Sequence, residues 1–212
     1  MARGPRSAVK EGTLTRRDAE ERADGAIRAF IAIELDDAVR RAAAKVARAL
    51  REGPGGDRVR WVRPENLHVT LRFLGDVESA RVSSLARNLR EVLAGLRSFQ
   101  MQLGGVGVFP SARRPRVVVV DVAPREPLEQ LAEAVERAVV EDGLEPEKRR
   151  FRPHLTLGRA SGRALSPVTA PVTAGGESLL VDEIVLFRSE LTRSGAIHTP
   201  LERIALGGSD HP

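Results

Sequence analysis

Residues 67–75 read LHVTLRFLG, and residues 153–159 read PHLTLGR. The shared core, H-x-T-L, takes up two of the chain's four histidines, 86 positions apart. In both stretches apolar and polar residues alternate, the period of a half-buried strand. Residues i and i+2 of a strand face the same way. Strict alternation therefore puts His68, Thr70 and Arg72 on one face and Val69, Leu71 and Phe73 on the other, in a core. In the second stretch it groups His154 with Thr156, and Leu155 with Leu157. Each strand thus offers an imidazole beside a hydroxyl on a rigid element.

The fold is expected to begin at AIRAFIAIEL (26–35), a largely buried strand. Asp36-Asp37 then caps a helix over about 37–51, which Gly53-Pro54-Gly55-Gly56 ends. RVRWV (58–62) reads as a strand and Pro64-Glu65-Asn66 as the turn into the first motif strand. Beyond it, Val82, Leu85, Leu89, Val92, Leu93 and Leu96 recur at helical spacing over 78–96. SFQMQLGGVGVF (98–109) and RVVVVDV (116–122) are strands around a PSARRP loop. A second amphipathic helix runs over about 126–142 and stops at Gly143. The second motif strand, FRPHLTLGR (151–159), follows the charged stretch EPEKRR; SLLVDEIVLFRSEL (178–191) and AIHTPLERIAL (196–206) complete the set. Two rough copies of a strand–helix–strands unit each carry one H-x-T-L strand. This order, with its antiparallel hairpins, predicts an α+β protein of two lobes. Residues 1–25 read as a flexible extension, 26–206 as the folded domain and 207–212 as a flexible tail.

The chain has no cysteine, which excludes disulfides, thiolate metal sites and cysteine nucleophiles and fits a reducing cytoplasm. No apolar run approaches the roughly 18–20 residues that cross a bilayer. The start MARGPRSAVKEG is followed by charge rather than an apolar stretch, unlike a secretory signal. The net charge of +5 comes almost wholly from arginine, with lysine only at Lys10, Lys45 and Lys148. A GC-rich genome and phosphate-binding guanidinium forks are both open as explanations.

Two imidazoles that titrate near neutral pH can serve as one general acid and one general base. Two threonine hydroxyls can donate to non-bridging phosphate oxygens. In-line hydrolysis of a phosphodiester needs a base on the attacking oxygen and an acid on the leaving oxygen, on opposite sides of phosphorus. The four side chains meet that need without a metal or cofactor. A lone histidine in an apolar strand is more often a packed core residue, and it is the duplication that favours chemistry here. A metal site is disfavoured, since two His and two Thr make a poor ligand set and no H-x-x-x-H motif completes it.

The paired H-x-T-hydrophobic motifs resemble the signature of the 2H phosphoesterases. RAFIAIEL, WVRPENLHVTLRFLGDV, GGVGVFPSARRPRVVVV, FRPHLTLGR and VDEIVLFRSELTRSGAIH look like one branch, the bacterial and archaeal RNA 2′,3′-cyclic phosphodiesterases, historically called 2′-5′ RNA ligases. The resemblance covers about 26–206. It implies a bilobal α+β fold in which two antiparallel sheets face a central cleft, helices lie outside and a pseudo-two-fold relates the halves. It also implies metal-independent hydrolysis of RNA 2′,3′-cyclic phosphate ends, tRNA fragments among them, to 2′-phosphates, with weak 2′-5′ ligation. His68 would be the proton donor, His154 the proton acceptor, and Thr70, Thr156 and Arg159 phosphate ligands. The symmetry of the motifs leaves the acid and base order open in the residues themselves. Strict alternation turns Arg159 away from His154, so its role requires a bulge near Gly158. The enzyme is expected to be a cytoplasmic monomer. A phosphodiesterase for small cyclic nucleotides or ADP-ribose cyclic phosphate, and a non-catalytic RNA-end-binding module, are the alternatives.

Arg72 reads equally as a substrate contact or a solvated charge. Arg113, Arg114 and Arg116 form a loop for which solvation is favoured over RNA contact. Trp61, the only tryptophan, reads as a core or lobe-edge anchor ahead of a base-stacking platform. His198 and His211 lack the motif and are not candidate catalysts.

Overall fold

The computed structural model describes residues 25–111, 115–160, 176–193 and 195–208. Arg113, Arg114, His211 and nearly all of the expected N-terminal extension lie outside the described residues.

Strand β1 (Ala26–Glu34) is buried without a break from Ala29 to Ile33, which marks a strand covered on both faces. Helix α1 (Asp37–Glu52) starts where the Asp36 carboxylate accepts from the Val39 N–H at 2.7 Å, satisfying one of the first-turn donors. It buries Val39, Ala43, Val46, Ala47 and Leu50 along one stripe. After β2 (Val59–Trp61) and a turn at Pro64–Asn66 come β3 (His68–Glu78) and α2 (Arg81–Leu93). The second half contains β4 (Phe99–Phe109), β5 (Val117–Ala123), α3 (Arg125–Glu141) and β6 (His154–Ala160). It closes with β7 (Ser178–Val181), β8 (Glu183–Thr192) and β9 (Gly195–Ala205).

Among the described residues the strands form two sheets, ordered β3-β1-β8-β9 and β2-β6-β5-β4-β7. Every pairing is antiparallel. The chain crosses between sheets in both halves. Helix α1 follows β1 of the first sheet yet packs on β2 and β6 of the second; α3 follows β5 of the second yet packs on β3 of the first. Each motif strand thereby lies in a different sheet, backed by the other half's helix. One contiguous core joins Ile31, Ile33, Val69, Leu71, Ile184 and Leu186 of the first sheet to Val118, Val120, Leu155 and Leu157 of the second. A fully buried leucine contributes about 1.5–3 kcal/mol, so Leu155 and Leu157, both at 0% exposure, fix which face of β6 looks outward.

The stretch 178–191 is two strands rather than one. SLLV alternates exposed and buried residues and pairs with β4 at the edge of the second sheet. From Ile184 to Phe187 burial is continuous, and β8 sits inside the first sheet between β1 and β9. The change of period at Asp182 is the change of sheet. Strand β3 continues to Glu78, so α2 begins three residues later than the periodicity suggests, and residues 151–153 precede β6 instead of opening it. Gly207 is docked rather than loose: its N–H donates to Leu93 O at 2.9 Å, and a Cβ there would collide with the Ala94 backbone. No helix among the described residues is long and apolar enough to cross a membrane.

Candidate active site

Both motif strands break their alternation just after the threonine. In β3, Thr70 pairs with Ala32 but Arg72 pairs with Ile31, so Leu71 is an extra residue. In β6, Thr156 pairs with Val119 but Gly158 pairs with Val118, so Leu157 is extra. Directly paired residues of antiparallel strands share a face. A one-residue bulge therefore exchanges the faces of everything that follows.

In β6 the consequence is that Arg159 pairs with Val117, on the face of β5 that also carries Val119 and Asp121, the partners of Thr156 and His154. His154, Thr156 and Arg159 line one surface. Gly158 is what makes the bulge fit. A Cβ at that position would strike Val59 and lie 3.2 Å from the Trp61 ring. Trp61 itself packs against the core and donates from Nε1 to Gly56 O at 2.9 Å, which makes it an anchor of the lobe edge.

In β3 the same bulge corrects the strict-alternation reading. Phe73 pairs with Phe30, lies on the His68 face and is 54% exposed. Arg72 turns to the opposite side. Its guanidinium meets Glu136 of α3 at 2.7 Å, Glu147 at 3.4 Å and the Glu145 carbonyl at 2.5 Å. Arg72 is therefore not a solvated charge, and it lies off the His68 face: it ties β3 to α3 and to the segment that leads into the second motif. Arg116, the described member of the arginine loop, is exposed, and its backbone links Phe109 O to the Ala160 N–H.

The two histidines are held alike. His68 Nδ1 lies 2.8 Å from the Asn66 carbonyl, and His154 Nδ1 lies 2.6 Å from the Arg152 carbonyl. A carbonyl oxygen can only accept, so Nδ1 carries the hydrogen in both rings and Nε2 keeps its lone pair when the ring is neutral. Pro64–Asn66 is fixed in turn by Asn66 Nδ2, which donates to Ala196 O at 2.7 Å. That bond reaches from the start of β3 to β9 although β1 and β8 lie between them, so the first sheet curls strongly on itself.

The curl brings in a residue that motif reasoning sets aside. His198 pairs with Ser189 on the face of the first sheet that also carries Phe187, Phe30 and His68. Its ring stands perpendicular to His68 with centroids 5.4 Å apart, and edge-on to Phe30 at 4.9 Å. Its Nδ1 is buried without a hydrogen-bond partner. His68 also packs against Phe30 at 4.7 Å. On the other side, Phe109 meets the His154 ring edge-on at 5.1 Å.

Burial holds the proton affinity of His68 down, to a pKa of about 4, with smaller contributions from the charges of His198 and His154; the Asn66 carbonyl pulls the other way. Burial also lowers His198. Each motif strand thus presents an imidazole and a hydroxyl on one face, and β6 adds a guanidinium on the same face; groups of these kinds can bind an anion and transfer protons.

A family model described as "LigT like Phosphoesterase" matches residues 33–119 and, a second time, 120–198. The chain belongs to the LigT-like phosphoesterases. Each match contains one H-x-T-L strand. A Methanothermobacter thermautotrophicus protein named RNA 2′,3′-cyclic phosphodiesterase is 35% identical over 181 residues, which is 83% of this chain and 97% of that one. A Thermus thermophilus protein of the same name is 37% identical over 193 residues, covering 86% and 91%. Among solved LigT-like structures, Escherichia coli LigT complexed with 3′-AMP superposes with a TM-score of 0.72 at 30% identity, covering 86% of this chain and 99% of that one.

Proposed function

We propose that this phosphoesterase hydrolyses 2′,3′-cyclic phosphate ends of RNA to 2′-phosphates, with His68 and His154 as the acid–base pair. The observation that carries the proposal is that both Nε2 atoms are left free by identical Nδ1–carbonyl bonds, each beside a threonine, on strands from opposite sheets. The names of the relatives supply the substrate class.

In the proposed step a water oxygen attacks phosphorus while His154 Nε2 takes its proton. The P–O3′ bond breaks in line, and His68 Nε2–H gives its proton to O3′. The product is a 2′-phosphomonoester with a free 3′-hydroxyl. Thr70, Thr156 and Arg159 hold the non-bridging oxygens, whose charge grows in the transition state. Base, acid and phosphate ligands are all side chains of the chain itself, so the reaction is proposed to be metal-independent. The choice of His68 as donor follows the family resemblance. At neutral pH the unliganded ring is neutral, because burial keeps its pKa at about 4. The anionic phosphate must restore the proton by offsetting the desolvation of the charged ring. With a 5′-hydroxyl of a second RNA in place of water, the same site would form a 2′-5′ linkage as a side reaction. The enzyme is further proposed to act in the cytoplasm as a monomer.

The test is incubation of EDTA-treated protein with an oligonucleotide ending in a 2′,3′-cyclic phosphate. A 2′-phosphate product supports the proposal. No turnover, or a 3′-phosphate product, overturns it.

A further inference from the structure

A cavity of about 320 Å³ opens beside His154 and has no part in the step described above. Phe109, Asp121, Arg125, Arg150, Phe151 and Arg152 line it. It touches the reaction centre at three points. Phe109 packs edge-on against the His154 ring at 5.1 Å. The carbonyl of Arg152 holds His154 Nδ1 at 2.6 Å. Asp121 pairs with His154 across β5 and β6, so both side chains leave the sheet on the same face.

The lining has the chemistry of a nucleotide site. Phe109 and Phe151 supply aromatic surface for a base, and the Arg152 guanidinium lies 5.8 Å over the Phe109 ring. Arg125 and Arg150 stand exposed at the rim, both steadied by one Glu129 oxygen at 3.9 and 3.6 Å. Their remaining donors can meet a phosphate. Asp121, the acidic group facing the cavity, is an acceptor suited to a base amino group or a ribose hydroxyl. The volume sits at the low end of small-molecule sites, about 300–1,000 Å³, and suits one nucleotide. The histidines, threonines and Arg159 serve the reacting phosphate, and Phe73, exposed on the His68 face, offers a ring to the base of the nucleotide that carries it. A basic, aromatic cavity abutting that set is accounted for by a ligand that continues beyond it.

We propose that this cavity is a second nucleotide subsite, occupied by a nucleotide of the RNA strand other than the one whose phosphate reacts. The inference rests on the RNA phosphodiesterase reading and deepens it, because it makes a polynucleotide end, rather than a free cyclic nucleotide, the preferred substrate.

The experiment compares adenosine 2′,3′-cyclic phosphate with a trinucleotide ending in the same group, for the wild type and for the double variant Arg125→Gln/Arg150→Gln. The wild type is expected to favour the trinucleotide at least ten-fold in kcat/KM, mainly through KM. The double variant is expected to bring that ratio within about two-fold of unity. It should also make the trinucleotide KM less salt-dependent, by about 0.7 in log–log slope for each phosphate that an arginine no longer neutralises. Equal use of both substrates by the wild type, or an unchanged ratio in the variant, overturns the subsite and leaves the phosphodiesterase reading standing. If the wild type turns over neither substrate, the phosphodiesterase reading falls instead. Binding of a trinucleotide 2′-phosphate against adenosine 2′-phosphate, by fluorescence anisotropy on both proteins, then decides the subsite: tighter trinucleotide binding that the variant abolishes upholds it, and equal binding overturns it.

Discussion

Phe73 and Arg159 occupy the same place in the two halves of the molecule. Each is the fifth residue after its motif histidine, and a bulge one residue after the motif threonine turns each onto the histidine face. The duplicated strands therefore share a backbone irregularity as well as a motif, but they use it differently: one presents an aromatic ring, the other a guanidinium. This asymmetry gives the cleft a direction that the symmetric histidines do not.

If Arg159 grips a non-bridging oxygen, removing it should weaken the transition state more than the ground state. Arg159→Ala is expected to lower kcat/KM on a cyclic phosphate end by about ten- to a hundred-fold, the scale of removing a charge-assisted hydrogen bond. Arg159→Lys should recover only part, because an ammonium keeps the charge but not the fork. Steady-state kinetics with unchanged thermal melting would check this; full activity in Arg159→Ala would remove the residue from the site.

The bulge itself is testable at Gly158. A methyl group there would press into Val59 and the Trp61 ring, and neither neighbour can retreat from a packed strand pair. Gly158→Ala is expected to cost about 1–3 kcal/mol of stability, the usual scale of overpacking, read by urea denaturation. Activity should fall further than stability explains, because the bulge is what faces Arg159 toward His154.

These bulges mark the limit of what is legible in the chain. Both motif strands, and the sharing of a face by His68 with Thr70 and by His154 with Thr156, follow from two-residue periodicity, and the α+β class from its interleaving with helical spacing. A bulge leaves that periodicity intact in the letters and breaks it in space. LHVTLRFLG accordingly reads as though Phe73 were core and Arg72 open, whereas Arg72 is held by Glu136 and Glu147. In the second motif the glycine between Leu157 and Arg159 signals the irregularity; no glycine marks the one at Leu71. His198 is out of reach for another reason. It comes 130 positions after His68, and only the curl of the first sheet brings the two together.

The buried neutral state of His68 makes a prediction about stability. Its folded pKa of about 4 lies below the ordinary 6.5, so between these values the unfolded chain binds a proton that the folded protein refuses. Stability should therefore be complete above about pH 6.5 and fall as the pH drops toward 4. The two and a half units correspond to roughly 3 kcal/mol at the acid end. His68→Gln, which cannot titrate, should flatten this part of the profile. Urea midpoints at closely spaced pH values would show it, and parallel profiles for the two proteins would contradict the assignment.

The catalytic histidines should separate from the fold. His68→Ala and His154→Ala are each expected to lower turnover by about a hundred- to ten-thousand-fold, the range for losing a general acid or base. The double variant should be scarcely worse than either single one, because two groups acting in one concerted step lose their benefit together. Additive losses in that comparison would argue for two independent roles.

His198 offers the finest control of the site. Its charge is one of the influences that lower the pKa of His68, and its ring packs perpendicular to it at 5.4 Å. His198→Phe keeps an aromatic ring against Phe30 and removes both the titrating group and the unpartnered Nδ1. Replacing a buried, unpaired polar atom with an apolar ring should leave stability equal or higher. With that positive charge gone, His68 should bind its proton more readily, so its titration should move to higher pH. The readout is the His68 imidazole signal followed by NMR through a pH titration in wild type and variant, which a merely structural role for His198 would leave in place. A shift upward ties His198 to the protonation of His68; a shift downward, or none, would mean that the contact is packing alone.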